Sequence, residues 1–200
     1  MKQSTELEKD KKEITDKQKV FTIPNILSFI RILLIPIIIW LYCAKENYLW
    51  TAYILIISGI TDIVDGFIAR KFNMVSDLGK IIDPVADKFT QGAALICLLF
   101  RFPLIWIPLA VMIMKETFNT ITGILVIKKA KIVPSSNWHG KAATVLLYIM
   151  IVAHLFWYDL PSYVSLGLII ACTIMVTISF VLYGIRYIGL IKNAETTREH

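Results

Sequence analysis

Charge is scarce in this chain, and so is cysteine. Charged residues make up 18% of its 200 positions and hydrophobic residues 56%, whereas soluble globular domains carry about 25% charged residues. That balance excludes an ordinary soluble domain, and it excludes a disordered chain as well. The three cysteines, Cys43, Cys97 and Cys172, lie far apart in separate apolar runs. They allow neither a disulfide scaffold nor a CxxC-type metal site, and they read as packing residues. His139 and His154 likewise read as packing or interface residues. The first twenty residues lack an apolar core and a small-residue cleavage site, so they are not expected to be a signal peptide. They read as a solvated charged arm, with contact to anionic lipid headgroups as the alternative.

What the chain does have is long apolar runs. Ile26–Cys43 is interrupted only by Arg31, and neither Ala142–Tyr158 nor Leu160–Ile185 contains Lys, Arg, Asp or Glu. About 20 such residues cross the hydrocarbon of a bilayer. Three further runs are apolar over one half and charged over the other, giving spans near 48–70, 79–100 and 104–127. The expected fold is therefore an all-α integral membrane protein with six transmembrane helices. The expected division is an arm over 1–20, one six-helix domain over 21–192 and a tail over 193–200, with no internal repeat. Of the 21 basic residues, only Lys45 and Arg101 fall on one side of this topology. The positive-inside rule then puts both termini in the cytoplasm of a multi-pass cell-membrane protein. The same asymmetry explains the net charge of +6 without nucleic acid.

In this topology the charged halves of the second, third and fourth helices all lie on the cytoplasmic side. An isolated charge near the bilayer centre costs about 2.5–3.5 kcal/mol even on the lenient insertion scale, so these residues are expected to face a shared polar cavity. Its walls carry Asp62, Asp65, Asp83 and Asp87, with Arg31, Arg70, Lys80, Lys88, Lys115 and Lys141 nearby.

The aspartates are spaced as a metal site requires. Asp62 and Asp65 are i, i+3, and Asp83 and Asp87 are i, i+4, so each pair shares one helix face. Four carboxylates brought together repel one another unless cations sit between them. Oxygen ligands without His or Cys suit Mg²⁺, Mn²⁺ or Ca²⁺ and disfavour zinc. Carboxylates from two helices around two such ions is an arrangement used for in-line displacement at phosphorus. Spacing alone leaves a second reading open. Asp62 and Asp65 lie near the bases Arg70 and Lys71 and pair with them at the interface, while Asp83 is a first-turn acid beside Pro84. A carrier that uses intramembrane carboxylates is a third.

The full string narrows the choice. Asp62-Ile-Val-Asp65-Gly66-Phe-Ile-Ala69-Arg70, followed by eight residues, Gly79, three residues, Asp83, three residues and Asp87, resembles the signature D-x2-D-G-x2-A-R-x8-G-x3-D-x3-D of the CDP-alcohol phosphatidyltransferases. All eight fixed positions match. The resemblance implies a six-helix core with a cytoplasm-facing site, two divalent cations held by Asp62, Asp65, Asp83 and Asp87, and Asp87 as the general base on an acceptor hydroxyl. It implies that Gly66 and Ala69 let the cytidine nucleotide lie against the helix and that Arg70 neutralises phosphate. Small residues at a helix contact and a snorkelling cation are the plainer readings of these positions.

Two flanking segments also resemble the family. Pro24-Asn25-Ile-Leu-Ser28-Phe-Ile-Arg31 is similar to the P-N-x2-[ST]-x2-R start of the first helix in its phosphatidylglycerophosphate and cardiolipin synthase branches, which makes Asn25 and Arg31 candidates for binding CDP-diacylglycerol. Gly140-Lys141-Ala-Ala-Thr144 is similar to their G-K-x-[KS]-T segment, with Ala143 in place of the lysine or serine. Lys115-Glu116 stands where Arg-Glu is usual, and the arginine often found about seven residues later is replaced in the region of Gly123. Lys115 and Lys141 become candidates for the acceptor's phosphate, with cytoplasmic anchoring as the alternative. The implied partners are CDP-diacylglycerol, glycerol 3-phosphate, the lipid bilayer and a second copy of the chain. Phosphatidylglycerol is the competing acceptor.

Overall fold

A computed structural model describes residues 22–72, 79–130, 137–157 and 159–196. The expected arm over 1–20 and the side chains of Ala69, Arg70 and Lys80 lie outside the described residues. Among those described there are six long α-helices and one 3₁₀ turn: α1 Ile23–Cys43, α2 Tyr48–Lys71, α3 Gly79–Leu99, the turn Pro103–Ile105, α4 Trp106–Ala130, α5 Trp138–Phe156 and α6 Ser162–Thr196. The chain forms two compact units, one ending at Cys97 and the other beginning at Leu98.

Five of the helices are long and apolar enough to cross a membrane, and α3 is the exception. Six spans were expected, and five candidates stand among the described residues. The reason is local, because Asp83, Asp87 and Lys88 crowd the first half of α3 and Gln91 follows just past its middle. At the other end of the chain α6 runs past the expected domain boundary at 192. Its 35 residues extend about 52 Å at 1.5 Å per residue, well beyond the roughly 30 Å of hydrocarbon.

The first unit is built inside out relative to a soluble protein. On α1 the buried positions are Asn25, Ser28, Arg31 and Ile38, while Phe29, Leu33 and Trp40 are exposed. On α2 the stripe Thr51, Ala52, Leu55, Ser58 and Asp65 is buried, and Ile57, Ile60, Ile63 and Phe67 face outward. Small and polar side chains at helix contacts with large apolar ones outside is what lipid solvent selects, because hydrocarbon rewards neither Leu against Leu nor an unpaired charge. The helix starts follow from local chemistry: Pro24 sits in the first turn of α1, where a missing N–H goes unused, and the Asn47 side chain accepts the Trp50 N–H to cap α2.

In the second unit α6 packs against both α4 and α5. Its buried face is Ser165, Ile169, Cys172, Val176, Ser179, Tyr183 and Tyr187, and α5 offers His139, Ala143, Leu147, Met150, Ile151, His154 and Leu155. His154 holds two partners, the Met150 carbonyl at 2.7 Å and the Ser165 hydroxyl at 2.9 Å. The Phe102 ring meets it edge-on. It is a hydrogen-bonded packing residue. Cys97 and Cys172 are buried as expected of packing cysteines, whereas Cys43 is exposed.

Candidate active site

The acidic site of the first unit is organised by Arg31. Its guanidinium donates from Nη1 to Asp62 Oδ1 and from Nη2 to Asp65 Oδ2, both at 2.5 Å. Arg31 sits one turn beyond Ser28 and two beyond Asn25 on the buried face of α1, so the i, i+3 repeat brings all three toward α2 and α3. Asp65 is sealed, with 2% of its side chain exposed, whereas Asp62 keeps 38% and opens the site outward. Arginine stays charged in any such setting. A buried pair broken at one partner loses about 3–5 kcal/mol.

Ser28 joins α1 to α3. Its hydroxyl donates to Asp83 Oδ1 and also lies 3.0 Å from the Pro24 carbonyl, so one proton has two acceptors in reach. A turn later on α3, Asp87 accepts from Gln91 Nε2 at 2.8 Å and lies 3.6 Å from Lys88 Nζ. The charges of Asp83 and Asp87 are felt at Asp62, and that of Asp83 at Asp65. The four aspartates therefore form one electrostatic cluster, in which four carboxylates face only Arg31 and Lys88 among the described cations. Arg31 is incompletely satisfied, because its buried Nε has no hydrogen-bond partner, a deficit worth about 1–3 kcal/mol.

An all-carboxylate set on two helices fits a hard divalent cation. As the side chains stand, no three acidic, His or Cys groups among the described residues converge closely enough to hold one. Arg31 and Ser28 hold these carboxylates where they are. Gly66 is half-buried on α2 beside Asp65, and Asn25 is buried.

The second unit gathers cations and hydrogen-bond donors instead. Lys115 is buried and pairs with Glu116 at 2.9 Å. Lys141, expected to act with it, is exposed. The charges that act on His139 are those of Lys115 and Arg186. His139 sits 3.1 Å from the Asn137 amide and 3.3 Å from the Ser179 hydroxyl. Arg186 donates to Asn137 Oδ1, and the Asn137 backbone N–H donates to the Tyr183 hydroxyl at 3.0 Å. Gly140 makes this possible, since a Cβ there would lie 2.7 Å from the Tyr183 hydroxyl. No local pattern in the sequence joins Arg186, Asn137 and Tyr183. Nothing short of the pairing of α5 with α6 joins residues 46 and 49 positions apart.

The family profile described as CDP-alcohol phosphatidyltransferase matches residues 21–183. The chain belongs to the CDP-alcohol phosphatidyltransferase family. Its relatives include a cardiolipin synthase (CMP-forming) of Streptomyces coelicolor, 35% identical over 63% of this chain and 61% of that protein. A CDP-diacylglycerol–glycerol-3-phosphate 3-phosphatidyltransferase of Aquifex aeolicus is 33% identical over 62% of this chain and 70% of its own length. A protein of Mycobacterium tuberculosis named "probable phosphatidylglycerophosphate synthase" is 27% identical over 88% of this chain and 85% of its own. The chain thus spans less than two thirds of the Streptomyces protein it matches. The family match takes in α1 to α5 and α6 as far as Tyr183, leaving Arg186 just outside.

Proposed function

We propose that the protein transfers a phosphatidyl group from CDP-diacylglycerol to sn-glycerol 3-phosphate, releasing phosphatidylglycerophosphate and CMP. The single observation that carries this reading is the aspartate cluster of α2 and α3, at signature spacing, with its α2 pair held by Arg31 and Asp83 by Ser28. Asp62, Asp65, Asp83 and Asp87 would hold two divalent cations, Mg²⁺ or Mn²⁺, which neutralise the pyrophosphate and stabilise departing CMP when bound. Asp87 takes the proton of the acceptor hydroxyl. That oxygen bonds to the phosphorus bearing diacylglycerol, and the bond from this phosphorus to the CMP oxygen breaks. Gln91, bonded to Asp87, orients the base. Gly66 and Ala69 leave room for the nucleotide, and Arg70 and Asn25 belong to the same nucleotide-lipid site.

The acceptor's dianionic phosphate needs several cations of its own, and the second unit supplies them. Lys115 and Arg186 are the stronger pair, since both act on one buried histidine. Lys141, exposed at the start of α5, contributes from the surface. In the membrane we read all six helices as spans, α3 included, with both termini and the polar cavity on the cytoplasmic side of the cell membrane and the protein a homodimer. The basic residues of the loops support that orientation.

One observation favours a second reading. The Streptomyces relative is named a cardiolipin synthase, and phosphatidylglycerol brings a phosphate of single charge that needs fewer cations. The deciding experiment offers purified protein CDP-diacylglycerol with either acceptor. Phosphatidylglycerophosphate from glycerol 3-phosphate is the expected product. Cardiolipin from phosphatidylglycerol, with no product from glycerol 3-phosphate, would replace this assignment by the second.

A further inference from the structure

We propose that Arg31 is a built-in counter-ion for the acidic site, which divalent cations must displace before the aspartates can hold them. The inference rests on the reading of Asp62, Asp65, Asp83 and Asp87 as cation ligands. Three observations carry it. One guanidinium spans the two carboxylates of α2, one nitrogen to each at 2.5 Å, and is itself only 1% exposed. It therefore supplies inside the protein the positive charge that the pair would otherwise draw from solution. The pose is also incompletely satisfied, because the buried Nε has no partner. Finally, the contact to Asp83 is made by a serine with a second acceptor at hand, the Pro24 carbonyl at 3.0 Å. Ser28 can thus release Asp83 without stranding its proton.

These contacts make the site a competition rather than a preformed cage. Without cations the α2 pair is half-neutralised by Arg31 of α1 and Asp83 is held by Ser28, which tempers the mutual repulsion of the carboxylates. As cations enter, Asp62 and Asp65 exchange one partner for another, and the freed guanidinium becomes available to an anionic ligand. Arg31 acts through the aspartates and is a positioning residue. A competitor differs from a ligand-organising residue in the sign of its effect: its removal tightens cation binding.

The test titrates Mn²⁺ into the full-length protein in detergent, without nucleotide lipid, reading free Mn²⁺ by electron paramagnetic resonance and the melting temperature in parallel. Arg31→Gln is expected to lower the Kd for Mn²⁺ about tenfold or more. It should also melt earlier than the unaltered protein without Mn²⁺ and gain more from its addition, since a ligand that binds only the folded state stabilises in proportion to its affinity. Arg31→Lys keeps a charge but loses the planar fork, so it is expected to fall between the two, and it covers the case in which the glutamine variant does not fold. Mn²⁺ binding that is unchanged or weaker in every variant that folds overturns the counter-ion role alone. An unaltered protein that takes up no Mn²⁺, or takes it up equally after Asp62→Asn, overturns the cation-site reading and this inference with it.

Discussion

The two units solve opposite electrostatic problems with the same material. The first concentrates carboxylates on α2 and α3 and tempers them with one arginine from α1. The second concentrates Lys115, Arg186 and His139 and tempers them with Glu116, Asn137 and Tyr183. In both, part of the charged set is buried, Arg31 and Asp65 in one and Lys115 and His139 in the other, while leucine, isoleucine and phenylalanine are exposed on the outside. An excess of negative charge attracts cations and leaves a carboxylate to act as base. An excess of positive charge attracts phosphate. On the proposed reading the difference divides labour: bond making and breaking would belong to the acidic unit, and the choice of acceptor to the basic one.

The sharpest way to break that division is Asp87→Asn. Removing a positioned general base lowers turnover by roughly 10²–10⁴-fold. Because Asp87 is only partly buried and does not bond Arg31, the melting temperature should stay near that of the unaltered protein. A variant with near-normal kcat for CMP release would remove Asp87 from the chemistry. Asp65→Ala should instead act first on stability. It strands the buried Arg31 charge, a loss of about 3–5 kcal/mol, read as a fall in melting temperature in detergent. An unchanged melt would show that the Arg31 pair does not hold α1 to α2.

The basic unit is tested by packing as well as by charge. Gly140→Ala drives a methyl group into the Tyr183 ring, which His139 and Tyr187 flank at 4.6 and 5.8 Å. Overpacking of this kind costs about 1–3 kcal/mol, and the displaced Tyr183 should raise the KM for glycerol 3-phosphate while leaving that for CDP-diacylglycerol alone. Equal changes in both would tie this cluster to the shared chemistry instead. Lys141→Ala is expected to be the mildest, a change of only a few-fold in the same KM, since an exposed lysine meets the phosphate through water. A loss as large as that of Lys115→Ala would return Lys141 to the centre of the acceptor site.

The acidic unit was far more legible in the sequence than the basic one, for a physical reason. Asp62, Asp65, Asp83 and Asp87 lie on two neighbouring helices, so helical periodicity alone aligns each pair, and the conspicuous break of an apolar run singles out Arg31. The partners of Arg31 were not legible: it read as a phosphate contact, and only packing of α1 on α2 shows it engaged by two carboxylates. In the basic unit Asn137, Tyr183 and Arg186 are joined across α5 and α6, and no local spacing announces that. Lys115 and Lys141 look alike in sequence, yet one is buried and the other exposed. Helix starts and ends were mostly readable from proline, asparagine and charge. The long reach of α6 was not, because Arg186 reads as the end of a span although the helix continues to Thr196.

The division of labour is tested most directly by measuring CMP release against glycerol 3-phosphate concentration, at saturating CDP-diacylglycerol and divalent cation, for Asp62→Asn and Arg186→Gln side by side. The account predicts that Asp62→Asn stays inactive at every acceptor concentration, while Arg186→Gln recovers most of its kcat once the acceptor is raised about tenfold or more to offset a weakened phosphate contact. Rescue of Asp62→Asn by acceptor, or an Arg186→Gln defect confined to kcat, would contradict it.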